Sequence, residues 1–270
     1  MKETLYIFSD GKLKRRSNTL YFESDKKRKY VPVEHISSMM IFGEITINKK
    51  LLEFLSRNEI LLNFFNHYGY YVGTYYPREH YNSGYLILKQ AEFYLDKKKR
   101  FNLAKKFVEG AVINMLKVLR YYNTRGCNLE SSILGIENLQ EKISIQRGIE
   151  ELMAIEGNIR EKYYEAFNDI IKNENYYFLK RTKRPPRTKL DALISFGNSM
   201  FYTVALCEIY KTHLDPRIGF LHSTNFRRFT LNLDVSEVFK PIIVDRVLFS
   251  LLNKQMLKEN NFMEELNKVY

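Results

Sequence analysis

The sequence predicts an α+β protein, with a β-sandwich-like domain at residues 1–80 and a larger all-α domain at residues 81–270. Two observations predict this class. Short β-branched or aromatic runs separated by polar turns fill the first part of the chain, whereas long runs with helical periodicity fill the rest. Between them, a stretch containing Pro77, Ser83 and Gly84 has the residue types that favour a boundary between domains.

The elements of the first domain follow from short apolar runs and the turns between them. A short helix is predicted at residues 48–57, because Asn48 is a preferred N-cap type and Leu51 and Phe54 follow at helical spacing. Residues 9–12 are polar and contain a glycine, so they are predicted to form a turn. Runs typical of strands occur at residues 4–8, 18–23, 30–33, 35–42, 60–65 and 70–76.

The second domain follows from a change of period after Pro77. Apolar residues recur every three or four positions through residues 84–125, a stretch without proline. Further helical patterns occur at residues 149–171, 190–210 and 234–257. This spacing predicts amphipathic helices packed around one core.

The composition excludes several classes of protein. With 45% hydrophobic and 27% charged residues the chain can bury a core, which excludes a disordered or collagen-like protein. Its two cysteines, Cys127 and Cys207, are too few for a disulfide scaffold or a four-cysteine zinc site. No run approaches the roughly 18 apolar residues of a membrane span, and the N-terminus lacks an apolar secretory core. We therefore expect a soluble, cytoplasmic protein with no membrane association.

The charge balance is the first indication of a binding partner. The chain carries 43 Lys and Arg residues against 31 Asp and Glu residues, a net charge of +12. An excess of this size attracts polyanions and suits binding to the phosphate backbone of nucleic acid. The alternative is that the charge serves only solubility or an acidic partner.

A glutamate lies on an apolar stripe in the segment 149–171. Leu152, Ile159 and Tyr163 recur in helical steps, and Glu156 falls on the same line. A buried carboxylate is costly unless it is paired, protonated or bound to a cation. The alternative is a surface ion pair between Glu156 and Arg160 at i+4. The adjacent glycine at position 157 predicts the close approach of another chain segment, because glycine weakens a helix without such a reason.

A second acidic feature lies downstream. Asp234 and Glu237 are three residues apart at the start of a predicted helix, so they share a face. The alternative is that both acids only complement the helix dipole. With His222 just upstream, one imidazole and two or three carboxylates form a set that suits Mg²⁺ or Mn²⁺ with open positions for water and phosphate. The other histidines are interpreted as structural.

Basic residues crowd the chain around this acidic set. A loop marked by two prolines at positions 185 and 186 is rich in Lys and Arg, and more basic residues flank the segment from His222 to Glu237. The alternative is a solvated charged surface, but a metal-dependent phosphodiesterase site needs cations that hold its polyanionic substrate. The predicted DNA-binding residues are Arg181, Lys183, Arg184, Arg187, Arg227, Arg228 and Lys240.

Several of these segments resemble one known family. The sequence Ile155-Glu156-Gly157-Asn158-Ile159-Arg160 is followed, in the same order and spacing as in that family, by matching stretches further along the chain. The chain thereby resembles the CRISPR-associated spacer integrases of the adaptation module, the first-numbered CRISPR-associated proteins. The later matching stretches are residues 163–164, 184–186, 193–198, 214–222, 231–241 and 243–246.

This resemblance implies a fold, partners and site residues. It implies an N-terminal β-sandwich that pairs in a homodimer, an all-helical catalytic domain, and a small second-numbered CRISPR-associated subunit as partner. In the family a glutamate, a histidine and a late acid hold one divalent metal, which correspond here to Glu156, His222 and Glu237. Asp234 corresponds to the accompanying acid and Lys240 to a base near the DNA. Family members often have aspartate at the position of Glu237, so the division of roles between Asp234 and Glu237 stays open.

The resulting functional hypothesis is phosphoryl transfer at double-stranded DNA. The resemblance implies an integrase that inserts captured DNA fragments into a repeat array, with a 3′-hydroxyl as nucleophile, and an endonuclease when water attacks instead. Two alternatives remain: a non-catalytic basic DNA-binding or scaffold protein, and a branched-DNA repair nuclease with the same fold. Turnover and substrate choice separate the three.

Overall fold

A computed structural model describes residues 2–25, 27–77, 83–182, 185–224, 229–258, 261–262, 264–265 and 268–269. The chain divides into two compact units, Met1–Asn82 and Ser83–Tyr270. The first is rich in strands and the second is mostly helical, so the predicted α+β class is confirmed. The predicted boundary between residues 80 and 81 lies outside the described residues.

The first unit contains two four-stranded sheets. One has the strand order β1-β5-β7-β8 and the other the order β4-β3-β2-β6, and both mix parallel with antiparallel pairs. The strands are β1 (Glu3–Ile7), β2 (Gly11–Arg16), β3 (Thr19–Glu23), β4 (Arg28–Pro32), β5 (Ile36–Ile41), β6 (Ile45–Thr46), β7 (Leu61–Phe65) and β8 (Tyr71–Tyr75).

One apolar core holds the two sheets and a short helix together. Ile7 and Ile41 pair in register on one sheet, Leu13 lies on the other, and all three are buried in the same cluster. The helix α1 (Lys49–Arg57) adds Leu51 to this core. Its N-cap is Asn48, whose side chain accepts a hydrogen bond from the backbone N–H of Leu51 at 3.0 Å, as predicted.

Strand β2 differs from the sequence prediction, which placed a turn at residues 9–12 and no strand behind it. Apart from Gly11 its residues are basic, with the single exception of Leu13, which is only 1% exposed. A strand with one apolar residue has no recognisable period-two pattern, so its existence depends on pairing with β3 and β6.

The second unit is built around one long helix. Helix α3 packs against α4, α5 and α8. The main core of the unit gathers apolar residues from α3, α4 and α5, whereas Leu231 of α8 lies in a second, smaller cluster. The helices are α2 (Gly84–Leu95), α3 (Lys97–Asn123), α4 (Glu130–Glu141), α5 (Ile149–Glu165), α6 (Phe167–Ile170), α7 (Lys189–Tyr210), α8 (Thr230–Lys240) and α9 (Arg246–Asn253), with a π-helical turn at Pro241–Asp245 between the last two and a two-stranded ribbon of β9 (Glu264–Glu265) and β10 (Lys268–Val269) near the end.

The contact between α3 and α8 determines where the acidic residues of α8 lie. A Cβ at Gly110 of α3 would lie 3.3 Å from a methyl group of Val238, so the glycine allows the two helices to approach closely. Asn114, one turn further along α3, donates a hydrogen bond to the carbonyl oxygen of Val238 at 2.8 Å. These contacts pin the C-terminal half of α8 against the central helix.

Helix α7 is the most apolar long helix in the described part of the chain. Over its most apolar 18 residues the mean hydropathy is 1.3, so length and composition alone would allow it to cross a membrane. It contains no long uninterrupted apolar run, because it mixes apolar residues with small and hydroxyl-bearing ones. Leu190, Ile194 and Leu206 of this helix are buried within the helical unit, which is typical of a core helix.

Candidate metal centre

Helix α5 presents Glu156 and Arg160 at the edge of its buried face. Leu152, Ile155 and Ile159 are buried in the core, and the side chain of Glu156 beside them is 19% exposed. The glutamate accepts a hydrogen bond from Nε of Arg160 at 2.7 Å. The i+4 pair considered as an alternative therefore exists, but it is not a surface pair, because only 18% of the Arg160 side chain is exposed.

The neighbouring glycine differs from its prediction. In the part of the chain that the structure describes, a Cβ placed on Gly157 would meet no atom within 4 Å other than its chain neighbours and the nearby backbone of its own helix. No other described segment approaches the helix there, so the expected reason for the glycine is wrong. The exposed helix surface next to Glu156 is open instead.

Helix α8 brings the downstream acids to the same place. The guanidinium of Arg160 reaches across from α5, and its Nη1 lies 2.6 Å from Oε2 of Glu237. The ammonium of Lys240, one turn after Glu237, donates to Oε1 of the same carboxylate at 2.6 Å. Arg160 therefore contacts both predicted carboxylate ligands, and Glu156 and Glu237 converge on one side chain.

The charges around Glu237 keep it ionised. Burial raises the pKa of Glu237, but the positive charges of Arg160 and Lys240 outweigh this effect and lower the pKa from 4.5 to about 2. Burial also lowers the pKa of Arg160, but the charges of Glu237 and Glu156 raise it well above its ordinary value. In this arrangement Oε2 of Glu237 is buried and has a close ion pair with Arg160, but no described donor is aligned for a hydrogen bond with it.

Asp234 acts on His222 rather than facing the shared cation. Its carboxylate is 0% exposed and accepts hydrogen bonds from the backbone N–H groups of Phe220, Leu221 and His222 at 2.6, 3.0 and 3.1 Å. Its Oδ1 also lies 2.8 Å from Nδ1 of His222. Because an ionised carboxylate only accepts, the ring presents a proton on Nδ1 to Asp234, which in a neutral imidazole leaves the lone pair on Nε2. Asp234 therefore holds the histidine and its loop, whereas Glu237 faces Arg160 and Lys240.

The loop that carries His222 is held by hydrogen bonds to helix α8 and to helix α2. Gly219 donates its backbone N–H to Oγ1 of Thr230 at 2.9 Å, and a Cβ at Gly219 would lie 2.5 Å from the backbone of Thr230. Gln90 on α2 accepts from the backbone N–H of Asp215 at 2.7 Å and donates to its carbonyl oxygen at 3.2 Å. The position of the imidazole thus depends on contacts from α2 and α8 together.

A further buried acid lies beside this group, and the sequence analysis did not single it out. Asp245, at the end of the π-helical turn, is 3% exposed and accepts a hydrogen bond from the hydroxyl of Tyr163 at 3.1 Å. Burial raises the pKa of Asp245 from 3.8 to about 7, although Tyr163, Arg160 and Lys240 partly offset the effect. Its position in a matching segment was the available signal, but only tertiary burial reveals its unusual state.

The predicted DNA-binding residues fall into three groups. Arg181 is held internally, because its Nη1 lies 2.9 Å from the buried carboxylate of Asp191 and its Nη2 donates to Oγ of Ser195 at 2.9 Å. Lys240 is held by Glu237, whereas Arg187 is exposed. The remaining four, Lys183, Arg184, Arg227 and Arg228, lie outside the described residues.

The donor set suits a hard divalent cation, although it is not assembled as a ligand cluster. Within the described ranges, no group of three His, Cys, Asp or Glu side chains is arranged to hold a metal ion. Glu156 and Glu237 are instead satisfied by Arg160 and Lys240. Two ionised carboxylates that meet at one cation, together with an imidazole oriented through its Nδ1, are ligands that Mg²⁺ and Mn²⁺ accept. The residues therefore fit such an ion once the organic cations release them.

Comparison with known proteins identifies the relatives of this chain. Residues 5–270 match the family described as CRISPR associated protein Cas1. A CRISPR-associated endonuclease Cas1 from Thermodesulfovibrio yellowstonii is 58% identical over 269 residues, which cover 100% of this chain and 82% of that protein. A CRISPR-associated endonuclease Cas1 from Thermotoga maritima is 47% identical over 262 residues, covering 97% of this chain and 80% of that protein.

Solved structures show the same fold. A Cas1 protein from Thermotoga maritima superposes with a TM-score of 0.88 at 46% identity, covering 99% of this chain and 84% of that one. A casposase bound to integration product gives a TM-score of 0.85 at 21% identity, over 99% of this chain and 77% of that one. A Cas6-RT-Cas1–Cas2 complex gives 0.81 at 19% identity, over 98% of this chain and 29% of that one. The resemblance predicted from the sequence is confirmed, and the chain belongs to the CRISPR associated protein Cas1 family.

Proposed function

We propose that the protein is a divalent-metal-dependent DNA endonuclease and integrase of CRISPR adaptation, with Mg²⁺ or Mn²⁺ as its cofactor. The names of its relatives support a nuclease or integrase. The observation that carries the chemistry is the contact of one guanidinium, that of Arg160, with both Glu156 and Glu237. The two proposed ligands therefore converge on one side chain, which supports a metal site that both of them share.

Each side chain of the site has a distinct task in this proposal. Glu156 and Glu237 supply anionic oxygens, and His222 supplies Nε2. Asp234 keeps the ring proton on Nδ1, so that Nε2 stays a ligand rather than a donor. A divalent cation bound by these groups would neutralise charge developing on a phosphodiester and lower the pKa of a water or 3′-hydroxyl. Lys240, beside Glu237, supplies positive charge for the adjacent phosphate.

The substrate is double-stranded DNA, and the nucleophile decides the outcome. In integration, the 3′-hydroxyl of a captured DNA fragment forms a bond to a phosphorus at the edge of a repeat, and the phosphodiester bond there breaks to release a new 3′-hydroxyl. With water as nucleophile the same displacement cleaves the strand. The net charge of +12 supports binding to the polyanion. Exposed Arg187 is proposed to contact the DNA. Lys183, Arg184, Arg227 and Arg228 stay predictions from the sequence.

We further propose two protein partners. A solved complex contains both a Cas1 and a Cas2 protein, which supports the predicted second-numbered subunit. A homodimer is supported by an aromatic row on the first unit: the ring of Phe8 stacks on Phe42 at 4.7 Å, and Phe42 stacks on Phe65 at 4.5 Å. Phe8 is 69% exposed whereas Phe65 is buried, so the row anchors one exposed aromatic ring at the surface, which suits a self-complementary contact. We keep the cytoplasmic location as a prediction from the sequence.

The proposal is tested by two site variants and one matched control. Glu156→Gln and His222→Ala are expected to abolish Mn²⁺-dependent cleavage and strand transfer, while duplex binding stays within about twofold because the basic surface is unchanged. Glu137→Gln is the control, because Glu137 is also ion-paired with an arginine, Arg120 at 2.6 Å, but lies on α4 away from the site.

The substrates separate the competing functions. Strand transfer into a repeat-bearing plasmid supports the integrase, and preferential cleavage of branched junctions supports a repair nuclease. A wild-type protein that binds DNA with a steep salt dependence but turns over no substrate in Mg²⁺ or Mn²⁺ supports the non-catalytic binder. Full activity of either site variant rejects the proposed metal ligands.

A further inference from the structure

Arg160 occupies the place where a metal ion would have to bind. Its guanidinium contacts Glu156 through Nε and Nη2 and contacts Glu237 through Nη1. A planar guanidinium with several donors is suited to bridge two carboxylates in this way. The side chain is 18% exposed, so water competes poorly for either carboxylate.

A divalent cation and this guanidinium cannot both occupy the gap between the two carboxylates. The guanidinium already contacts Oε1 of Glu156 and Oε2 of Glu237, and two positive groups at contact distance repel each other strongly in a partly buried site. The absence of a ready metal-ligand group among the described side chains agrees with this exclusion. Binding of a metal therefore includes the free energy of removing Arg160 from its two partners.

Lys240 does not play the same part. Its ammonium contacts Glu237 alone, through Oε1, and leaves Oε2 and the whole of Glu156 to Arg160. A metal could bind Glu156 and Oε2 of Glu237 with Lys240 still in place. Among the described residues, only Arg160 links the two helices through both proposed ligands, α5 through Glu156 and α8 through Glu237.

We propose that Arg160 competes with the divalent cation for the same site. In the metal-free protein Arg160 holds Glu156 and Glu237 together, and it must leave both carboxylates before the ion can bind. The inference rests on the proposed function, since it takes these two residues as metal ligands. The competitor keeps the buried carboxylates neutralised before the metal binds, and in doing so it weakens metal binding. The released guanidinium then adds a positive charge beside the site, where the phosphate of DNA binds.

The test is direct measurement of Mn²⁺ binding without DNA. Titration calorimetry on the full chain, purified free of metal, compares wild type with Arg160→Met, which keeps a long apolar side chain but removes the charge. The Kd for Mn²⁺ is expected to fall on the order of tenfold or more, because the competing ion pairs are gone. Arg120→Met is the matched control: Arg120 also pairs with a glutamate at 2.6 Å, and its loss is expected to leave the Kd unchanged.

Thermal unfolding supplies a second readout. Without Arg160, Glu156 loses its ion pair and Glu237 keeps only Lys240, so the metal-free variant is expected to have a lower Tm than wild type. Saturating Mn²⁺ is expected to raise the Tm of Arg160→Met by more than that of wild type, because stabilisation by a ligand grows with its affinity. If Arg160→Met does not fold without metal, Arg160→Lys takes its place in both measurements, since an ammonium lacks the fork that reaches two carboxylates.

The outcomes distinguish this inference from the function on which it rests. Unchanged or weaker Mn²⁺ binding in both Arg160 variants overturns the proposal that Arg160 competes with the metal. If Glu156→Gln still abolishes binding in that case, the proposed metal site itself stands. If Glu156→Gln and Glu237→Gln both bind Mn²⁺ as wild type does, the metal site fails and the competitor fails with it. Tighter binding in an Arg160 variant, with Arg120→Met unchanged, supports the inference.

Discussion

Replacement of Asp234 by asparagine tests how the site orients its histidine. The carboxylate accepts four hydrogen bonds, three from backbone N–H groups and one from Nδ1 of His222. An amide keeps one oxygen and introduces an NH₂ group. If the NH₂ faces Phe220 and Leu221, two backbone contacts become donor-to-donor; if it faces His222, one backbone contact does, because the ring can change tautomer. Hydrogen bonds to a charged group contribute roughly 1.5–3 kcal/mol each, so we expect the free energy of unfolding to fall by about 1.5–6 kcal/mol.

The same change alters the tautomer of the imidazole. If the amide NH₂ faces the ring, Nδ1 of His222 must accept, and the ring proton moves to Nε2. A protonated Nε2 cannot act as a metal ligand. Asp234→Asn is therefore expected to reduce strand transfer by roughly three to four orders of magnitude, the scale seen when a buried carboxylate that orients a catalytic histidine becomes an amide.

Three measurements on the variant check this reasoning. Urea denaturation without metal gives the free energy of unfolding, ¹⁵N spectra of the imidazole show which ring nitrogen carries the proton, and strand transfer gives the activity. Asp191→Asn is the matched control: Asp191 is 1% exposed and paired with Arg181, so its replacement destabilises the fold without touching His222. Asp234→Asn with wild-type stability, tautomer and activity would refute the orienting role.

Three further predictions follow from the structure. Because burial raises the pKa of Asp245 from 3.8 to about 7, its contribution to stability is present below pH 4 and is lost as the pH rises to 7, by at most roughly 4 kcal/mol; Asp245→Asn should remove this slope in urea denaturation across the same range. Gly219→Ala should lower the Tm and the activity, because its Cβ would lie 2.5 Å from backbone, whereas Gly157→Ala should stabilise helix α5 by up to about 1 kcal/mol in thermal unfolding. Phe8→Arg places a charge at the exposed end of the row formed by Phe8, Phe42 and Phe65. It should shift the protein from the proposed dimer to a monomer in analytical ultracentrifugation.

Each of these has a result that would contradict it. An Asp245→Asn variant with the same pH slope as wild type shows that another group titrates. Equal effects of alanine at the two glycines show that the close approach at Gly219 is not what constrains it. A Phe8→Arg protein that stays dimeric at low micromolar concentration places the dimer contact elsewhere.

Local patterns were sufficient for the class of the fold and for much of its first unit. The Asn48 cap and the apolar positions behind it predicted α1, because capping and helical spacing act within a few residues. Strand β2 was missed, because a basic segment with only Leu13 buried becomes a strand through pairing with distant neighbours. Helix α7 shows the same limit, since its apolarity does not by itself tell a core helix from a membrane span.

For the site, the sequence by itself determined which residue types are present and in what order: Glu156, His222 and Glu237 were named from helical spacing and family resemblance. Only the tertiary structure decided what each one contacts. Arg160 lies four residues from Glu156, which suggests a simple helix pair, yet its second partner is on a helix far along the chain. Asp234 and Glu237 share a helix face, yet Asp234 accepts hydrogen bonds from the backbone N–H groups of a loop, whereas Glu237 pairs with a guanidinium. Partners in an ion pair or hydrogen bond that are far apart in the chain produce no periodic pattern in the sequence. The packing of the helices therefore determines which residues pair.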